Sequence, residues 1–258
     1  MSETTAATPT SGSVGIYDLG DVYDAIYNGR GKDYRAESAV VAKHVRSRHP
    51  AAASLLDVGC GTGGHLAHFA EEFGEVRGID LSDGMLEVAR RNHPGLPVER
   101  GDMRTFRLDG RYDAIACLFA AIGNLTGEDE LRSTLRSFAS HLAPGGVAVL
   151  EPWWFPENFT PDHVGGSVVT HDGMTVARVS HTVLHVTGDA SRMDVHYLVA
   201  KPGQEVRHFD DTHVMALYSR AQYEAAFTEA GFTVEYVTGE YPGNGLFVGV
   251  KRDKQKGE

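Results

Sequence analysis

Apolar positions along this chain recur in two rhythms, and the rhythm changes partway. Over 34–48, Ala36, Ala39, Val40, Val41 and Val45 form a stripe at helical spacing, and Pro50 ends it. A shorter aromatic helix, Asp21 to Tyr27, precedes it. Apolar runs then alternate with amphipathic stretches. Strands are predicted at Ala53–Val58, Glu75–Ile79, near Pro97–Glu99 and at Tyr112–Phe119. Helices are predicted at Gly64–Glu72, from an N-cap at Ser82 to His93, and at Glu128–His141. Pro144-Gly145-Gly146 reads as a turn into a fifth strand, Val147–Leu150. Alternating strand and helix predict an α/β chain, a Rossmann-like doubly wound and mainly parallel sheet with helices on both faces.

From about Gly166 to Tyr218 the period drops to two. Thr175–Val183 and Ser191–Leu198 alternate apolar with polar residues, and Asp172-Gly173 and Gly188-Asp189 mark turns. This predicts an inserted antiparallel β subdomain, which can keep one face open to a ligand. The helical rhythm resumes at Arg220–Ala230, and Thr233–Val237 and Leu246–Val250 read as closing strands. The expected organisation is a core of 16–151 and 219–251, with the substrate-binding insertion at 152–218. The Thr/Ser/Ala-rich segment 1–15 is expected to be disordered and the charged tail 252–258 flexible.

The chain has 258 residues and a formal net charge of −11, which argues against a nucleic-acid partner. No apolar run reaches bilayer length and no secretory leader is read, so no membrane partner is expected. Two cysteines, Cys60 and Cys117, show neither a C-x-x-C nor a metal spacing. A cytoplasmic location and no metal are therefore expected.

Chemistry concentrates where the first strand ends. Asp57-Val58-Gly59-Cys60-Gly61-Thr62-Gly63-Gly64 is a glycine-rich turn opening a helix, where a nucleoside can lie against bare backbone. Asp80 ends the next strand, seventeen residues after Gly63, where a carboxylate accepts both hydroxyls of a ribose. The spacing is G-x-G-x-G, not the G-x-G-x-x-G of pyrophosphate binders, and no G-K-S/T follows. An adenosine without phosphates fits, and S-adenosylmethionine is one.

With Gly78-Ile79-Asp80-Leu81-Ser82 and Gly101-Asp102-Met103, the pattern resembles class I S-adenosylmethionine-dependent methyltransferases. The resemblance implies that Asp57, Gly59, Gly61 and Gly63 surround the methionine part, and that Asp80 and Leu81 take the ribose. It implies that Asp102 accepts the adenine amine, Met103 packs on the ring and the Leu118 backbone meets the methionine amine.

Further segments narrow the family. Asp21-Val22-Tyr23-Asp24, Gly29-Arg30-Gly31-Lys32-Asp33-Tyr34, Glu151-Pro152-Trp153-Trp154-Phe155-Pro156, Arg178-Val179-Ser180-His181 and Gly245-Leu246-Phe247-Val248-Gly249-Val250 resemble N,N-dimethyltransferases of dTDP-amino-deoxysugars in antibiotic biosynthesis, over about 16–250. A dTDP-amino sugar is then the implied substrate and a homodimer the implied assembly. The pre-fold segment is implied to act as a lid, with Tyr27 toward substrate and Tyr34 toward cofactor. Arg178, Ser180 and His181 are implied substrate contacts, and Arg178, Arg192, Arg207 and the histidines near them are the cations available to a diphosphate.

Glu151 ends the fifth strand, where it can accept a hydrogen bond from the amine, take its proton, or serve as a structural acid. His181 is the second candidate base, although a cationic sulfonium nearby already favours a neutral amine and makes a base dispensable. Trp153 and Trp154 can wall the sugar pocket, stack on thymine, or anchor the crossover. Two positions depart from the family pattern. Asn124 follows Gly123 where relatives carry His or Tyr, and Asn244 stands where relatives carry Arg in Gly-Arg-Gly. An amide cannot replace that charge on a phosphate. An O- or C-methyltransferase of another small metabolite, and a non-catalytic S-adenosylmethionine-binding protein, are the alternatives.

Overall fold

The computed structural model describes residues 14–253. The expectations for 1–15 and 252–258 fall largely on 1–13 and 254–258, outside the described residues. At the inner edges, Gly15 N donates to Asp18, and Arg252 bonds to the carbonyls of Gly231 and Thr228.

Seven strands form one sheet: β1 (Ser54–Val58), β2 (Glu75–Asp80), β3 (Val98–Arg100), β4 (Tyr112–Cys117), β5 (Leu142–Leu150), β10 (Phe232–Val237) and β11 (Leu246–Lys251). Their order is β10-β11-β5-β4-β1-β2-β3. Pairing is parallel except where β11 meets β5 and β10. The chain reverses direction across the sheet between β1 and β4, the place where open α/β sheets hold ligands.

Helices α2 (Tyr34–Arg48), α3 (Gly64–Glu72), α4 (Asp83–Asn92), α5 (Glu128–His141) and α6 (Arg220–Glu229) pack around it. Asp33 caps α2 and Ser82 caps α4, each accepting a backbone N–H, so those helices start where a side-chain acceptor waits. One apolar cluster joins Leu56, Ile115, Leu135, Phe138 and Phe247; another joins Val41, Leu55, Leu66, Phe69 and Val149. These two clusters are the two faces of the sheet, as alternation along each strand requires.

Two strand boundaries of this sheet differ from the sequence reading by more than one residue. β5 begins at Leu142, because Pro144-Gly145-Gly146 bulges within the strand instead of preceding it. The register to β4 jumps from Tyr112–Leu142 to Ala114–Val147 across that bulge. β4 stops at Cys117, because Phe119 and Ala120 both turn left-handed, at φ 53° and 54°. Two consecutive non-glycine residues in that region are strained, a feature that concentrates at functional sites.

The second sheet is β6 (His163–His171), β7 (Met174–Leu184), β8 (Ala190–Ala200) and β9 (Arg207–Ala216), antiparallel in chain order. Its covered part packs on α1 (Gly20–Gly29): Val22, Ala25 and Ile26 meet Val176, Val195, Tyr197 and Val199. Each such buried aliphatic side chain contributes about 1.5–3 kcal/mol. The cluster fixes the second sheet over the carboxyl ends of the parallel strands.

Candidate active site

A cavity of about 790 Å³ lies between those strand ends and the inner face of the antiparallel sheet. On the parallel side it is lined by Gly59, Gly61, Asp80, Leu81, Asp102, Met103 and Leu118. On the other side it is lined by Trp153, Trp154, Arg178, Met193, Tyr197, Asp211, His213 and Met215. Tyr17, Tyr23, Tyr27 and Asn124 close one end, and Glu151, Gly243 and Asn244 another part of the wall.

The glycine turn is built for close approach. Gly61 sits at φ +55°, and a Cβ placed there would meet no protein atom within 4 Å. That open face is a cradle which any side chain would fill. Asp80 Oδ2 accepts from Gly61 N at 2.8 Å and Oδ1 from Ser82 N at 2.8 Å. Each oxygen keeps a further acceptor lone pair. Burial pushes the Asp80 carboxyl above its ordinary value, against the pull of those amides. A nucleoside with a free ribose diol and a sulfonium tail fits this set: acceptors for the hydroxyls, bare backbone for the tail, and Met103 and Leu118 as apolar flanks.

Of the remaining residues expected at the cofactor, Asp57, Gly63 and Tyr34 lie outside the cavity lining and Asp102 within it. Asp57 is buried, its Oδ2 has no hydrogen-bond partner, and burial pushes its carboxyl up to about 8. A Cβ at Gly63 would meet the His93 ring at 3.0 Å and Ala89 at 3.6 Å. Tyr34 packs its edge on His65 at 4.9 Å and against Gly64, beside the turn but outside the cavity lining. Asp102 lines the cavity with both oxygens engaged by the Arg104 guanidinium at 2.6–3.1 Å, and Arg104 also reaches Glu130. That guanidinium holds the Asp102 carboxyl below its ordinary value.

On the antiparallel side, alternation decides which β7 residues face inward. Arg178 lines the cavity and donates to Ser180 Oγ at 2.9 Å, so Ser180 is buried behind it. His181 points to the opposite face, half exposed and 3.8 Å from Asp162. It is not brought to the cavity, because one residue of offset turns a strand side chain to the other surface. Arg192 is exposed and paired with Asp194, and Arg207 is exposed, so neither joins Arg178. Trp153 donates its indole N–H to Ser191 at 3.0 Å. Tyr27 packs at 4.7 Å on Phe119, and Asn124 donates to Ala121 O.

Glu151 is buried at the cavity wall. Its Oε2 accepts from Phe119 N and, at 2.8 Å, from the Tyr241 hydroxyl. A Cβ at Gly243 would come within 3.3 Å of Oε1, so the glycine keeps the approach to that oxygen open. Burial raises this carboxyl to about 7, outweighing the two hydrogen bonds and Lys32.

Sequence reasoning missed Tyr17, Tyr197, Asp211 and His213. His213 and Asp211 sit two apart on β9 with His213 Nε2 3.6 Å from Asp211 Oδ2, and burial lowers the His213 imidazole. Asp211 Oδ2 accepts from Ile16 N at 2.7 Å, a contact spanning most of the chain. The period-two run Asp211, His213, Met215 was the available signal.

A methyltransferase domain model matches residues 55–146. The dTDP-3-amino-3,4,6-trideoxy-alpha-D-glucopyranose N,N-dimethyltransferase of Streptomyces venezuelae is 54% identical over 233 residues, 90% of this chain and 98% of that one. The dTDP-4-amino-2,3,4,6-tetradeoxy-D-glucose N,N-dimethyltransferase of Saccharopolyspora spinosa is 44% identical over 97% of this chain and 100% of its own. A SAM-bound amino pentose methyltransferase from Micromonospora echinaspora superposes with a TM-score of 0.81 at 46% identity, covering 89% of this chain and 96% of that one. The chain therefore belongs to the family of S-adenosylmethionine-dependent dTDP-amino-sugar N,N-dimethyltransferases.

Proposed function

We propose that this chain dimethylates the amino group of a dTDP-linked amino-deoxysugar in the biosynthesis of an antibiotic or related natural product. The observation that carries it is one cavity with two unlike walls, a nucleoside cradle on one side and Arg178 among aromatic and thioether side chains on the other. S-adenosylmethionine, when bound, supplies an electrophilic methyl group. Gly59, Gly61, Asp80, Leu81, Met103 and Leu118 would hold it, with Asp57, Gly63, Asp102 and Tyr34 shaping that wall.

The chain's own work is to bind, orient and deprotonate the amine. Arg178 supplies positive charge to the diphosphate in an otherwise acidic protein, with a guanidinium that can donate twice. Trp153, Trp154, Tyr27, Asn124 and Asn244 bound the sugar, and segment 152–218 acts as the substrate-binding part. Glu151, poised to titrate near neutrality, accepts the ammonium proton through Oε1 and leaves a nitrogen lone pair.

The reading extends to a cytoplasmic homodimer. Among the described residues no helix is long and apolar enough to cross a membrane, and both cysteines are free and buried. Val164, Val168, Val179 and Leu198 are exposed on the outer face of the antiparallel sheet, which supports pairing through that face.

A panel of dTDP-3-amino and dTDP-4-amino sugars, with mass detection of products, tests the function. Gains of one and then two methyl groups on a panel member are expected. S-adenosylmethionine binding without methylation of any of them would overturn the reading.

A further inference from the structure

Behind Glu151 lies a buried set of ionisable side chains that the reading above does not use. The Tyr241 hydroxyl is 2.8 Å from Glu151 Oε2 and 3.5 Å from Glu37 Oε2. Lys32 Nζ bridges both Glu37 oxygens at 2.8 and 2.7 Å, and His65 Nε2 approaches Oε2 at 2.6 Å. Glu37, His65, Tyr241 and Glu151 are all buried, and each comes from a different part of the chain: α2, α3, the loop before β11, and the end of β5. Lys32 and His65 suffice to compensate Glu37. They give no reason for a tyrosine hydroxyl to stand between two carboxylates with one proton to donate.

We propose that Tyr241 is a positioning residue for Glu151, a two-way hydrogen-bond partner that serves both of its protonation states. With Glu151 ionised, Tyr241 donates to it. When an ammonium N–H breaks, its electron pair stays on nitrogen and the proton forms an O–H bond on Glu151. Tyr241 then turns its own O–H to Glu37, held as a carboxylate by Lys32 and His65, and its oxygen accepts from the Glu151 carboxyl group. Neither state leaves a buried polar group unpaired, which would otherwise be destabilising. Dimethylation repeats this cycle, because the primary ammonium and then the monomethylammonium must each lose a proton. Between the two steps Glu151 returns its proton to water. The inference rests on Glu151 as the amine's proton acceptor. The groups facing Glu151 are Lys32, Glu37, Tyr241, the Cys117 thiol and the Phe119 N–H.

Carboxyl infrared titration of the ligand-free protein, combined with the pH dependence of kcat, tests it. Tyr241→Phe removes a partner from both forms, and the charge-assisted bond to the ionised form is the stronger, so the acid constant of Glu151 should fall about tenfold, one pH unit upward. The rising limb of the kcat profile should move with it, with KM for the sugar nucleotide and affinity for S-adenosylmethionine within about twofold of the parent. Glu37→Gln removes a neighbouring negative charge and should move Glu151 the opposite way; it reads the inference alone should Tyr241→Phe not fold. A Glu151 titration unmoved in Tyr241→Phe, or moved the same way in both variants, would overturn the proposal. Glu151→Gln keeps the two claims apart. Full activity in that variant removes the proton-acceptor reading itself. A slow Glu151→Gln beside an unmoved Tyr241→Phe removes only the role of Tyr241.

Discussion

Burial raises the carboxyls of two aspartates beside the glycine turn, and only one of them has hydrogen bonds to offset it. Asp80 is held by the amides of Gly61 and Ser82, so its charge is met and its remaining lone pairs suit a diol. Asp80→Ala should weaken S-adenosylmethionine binding about a hundredfold, since charge-assisted hydrogen bonds are worth ~1.5–3 kcal/mol. Affinity for the sugar nucleotide should change much less, and calorimetry on each ligand separates the two; equal losses would refute the ribose assignment. Asp57 has no such compensation, and its folded carboxyl titrates near 8 against an ordinary 3.8. Between those values the folded chain keeps a proton that the unfolded chain has lost. Stability from this group is therefore present at low pH and falls as pH rises through that window, by up to about 1.4 kcal/mol per pH unit. Asp57→Asn should flatten that slope in urea unfolding between pH 5 and 8, and an unchanged slope would show that Asp57 ionises normally. Both aspartates stood out in the sequence because glycine punctuation located them. Their differing hydrogen-bond compensation did not, since burial and partners depend on what other segments lay over them.

At the scale of elements, the parallel half was legible because each strand there is an apolar run closed by glycine or an acid, and each helix carries a stripe and a cap. The antiparallel half was legible only at its centre. β7 and β8 alternate cleanly, whereas β6 carries Gly165-Gly166 and β9 carries Asp210-Asp211, residues that strands generally avoid. Alternation leaves the choice of face open, and the resemblance implies substrate contacts for both Arg178 and His181, of which the pleat admits only Arg178 to the cavity. The same pleat yields a contrast that kinetics can check. Arg178→Met should raise KM for the sugar nucleotide about a hundredfold, while Arg192→Met, exposed and paired with Asp194, should leave it unchanged. Equal effects would mean that the diphosphate binds elsewhere.

The whole molecule depends on how its two sheets are joined across the cavity, and the joint is the segment before α2. Ile16 N donates to Asp211 of β9, Ser82 Oγ at the start of α4 donates to Tyr17 O at 2.7 Å, and Asp24 in α1 bonds to Thr62 in the glycine turn. Residues 15–24 thus strap the antiparallel sheet to the cofactor wall while Tyr17 and Tyr23 line the space beneath. No local pattern announces such a strap, because its partners lie up to 195 residues away. Its placement over the cavity predicts that it parts for ligand exchange. Asp211→Ala removes the acceptor for Ile16 N and should cost about 1–2 kcal/mol, the worth of a partly buried charged hydrogen bond. For a chain of this length that is a fall in Tm of roughly 2–8 °C. The same substitution should speed dissociation of S-adenosylmethionine severalfold in a stopped-flow chase, because the strap then opens at lower cost. A lowered Tm with an unchanged dissociation rate would assign residues 15–24 to stability alone and place the route of ligand exchange on another side of the cavity.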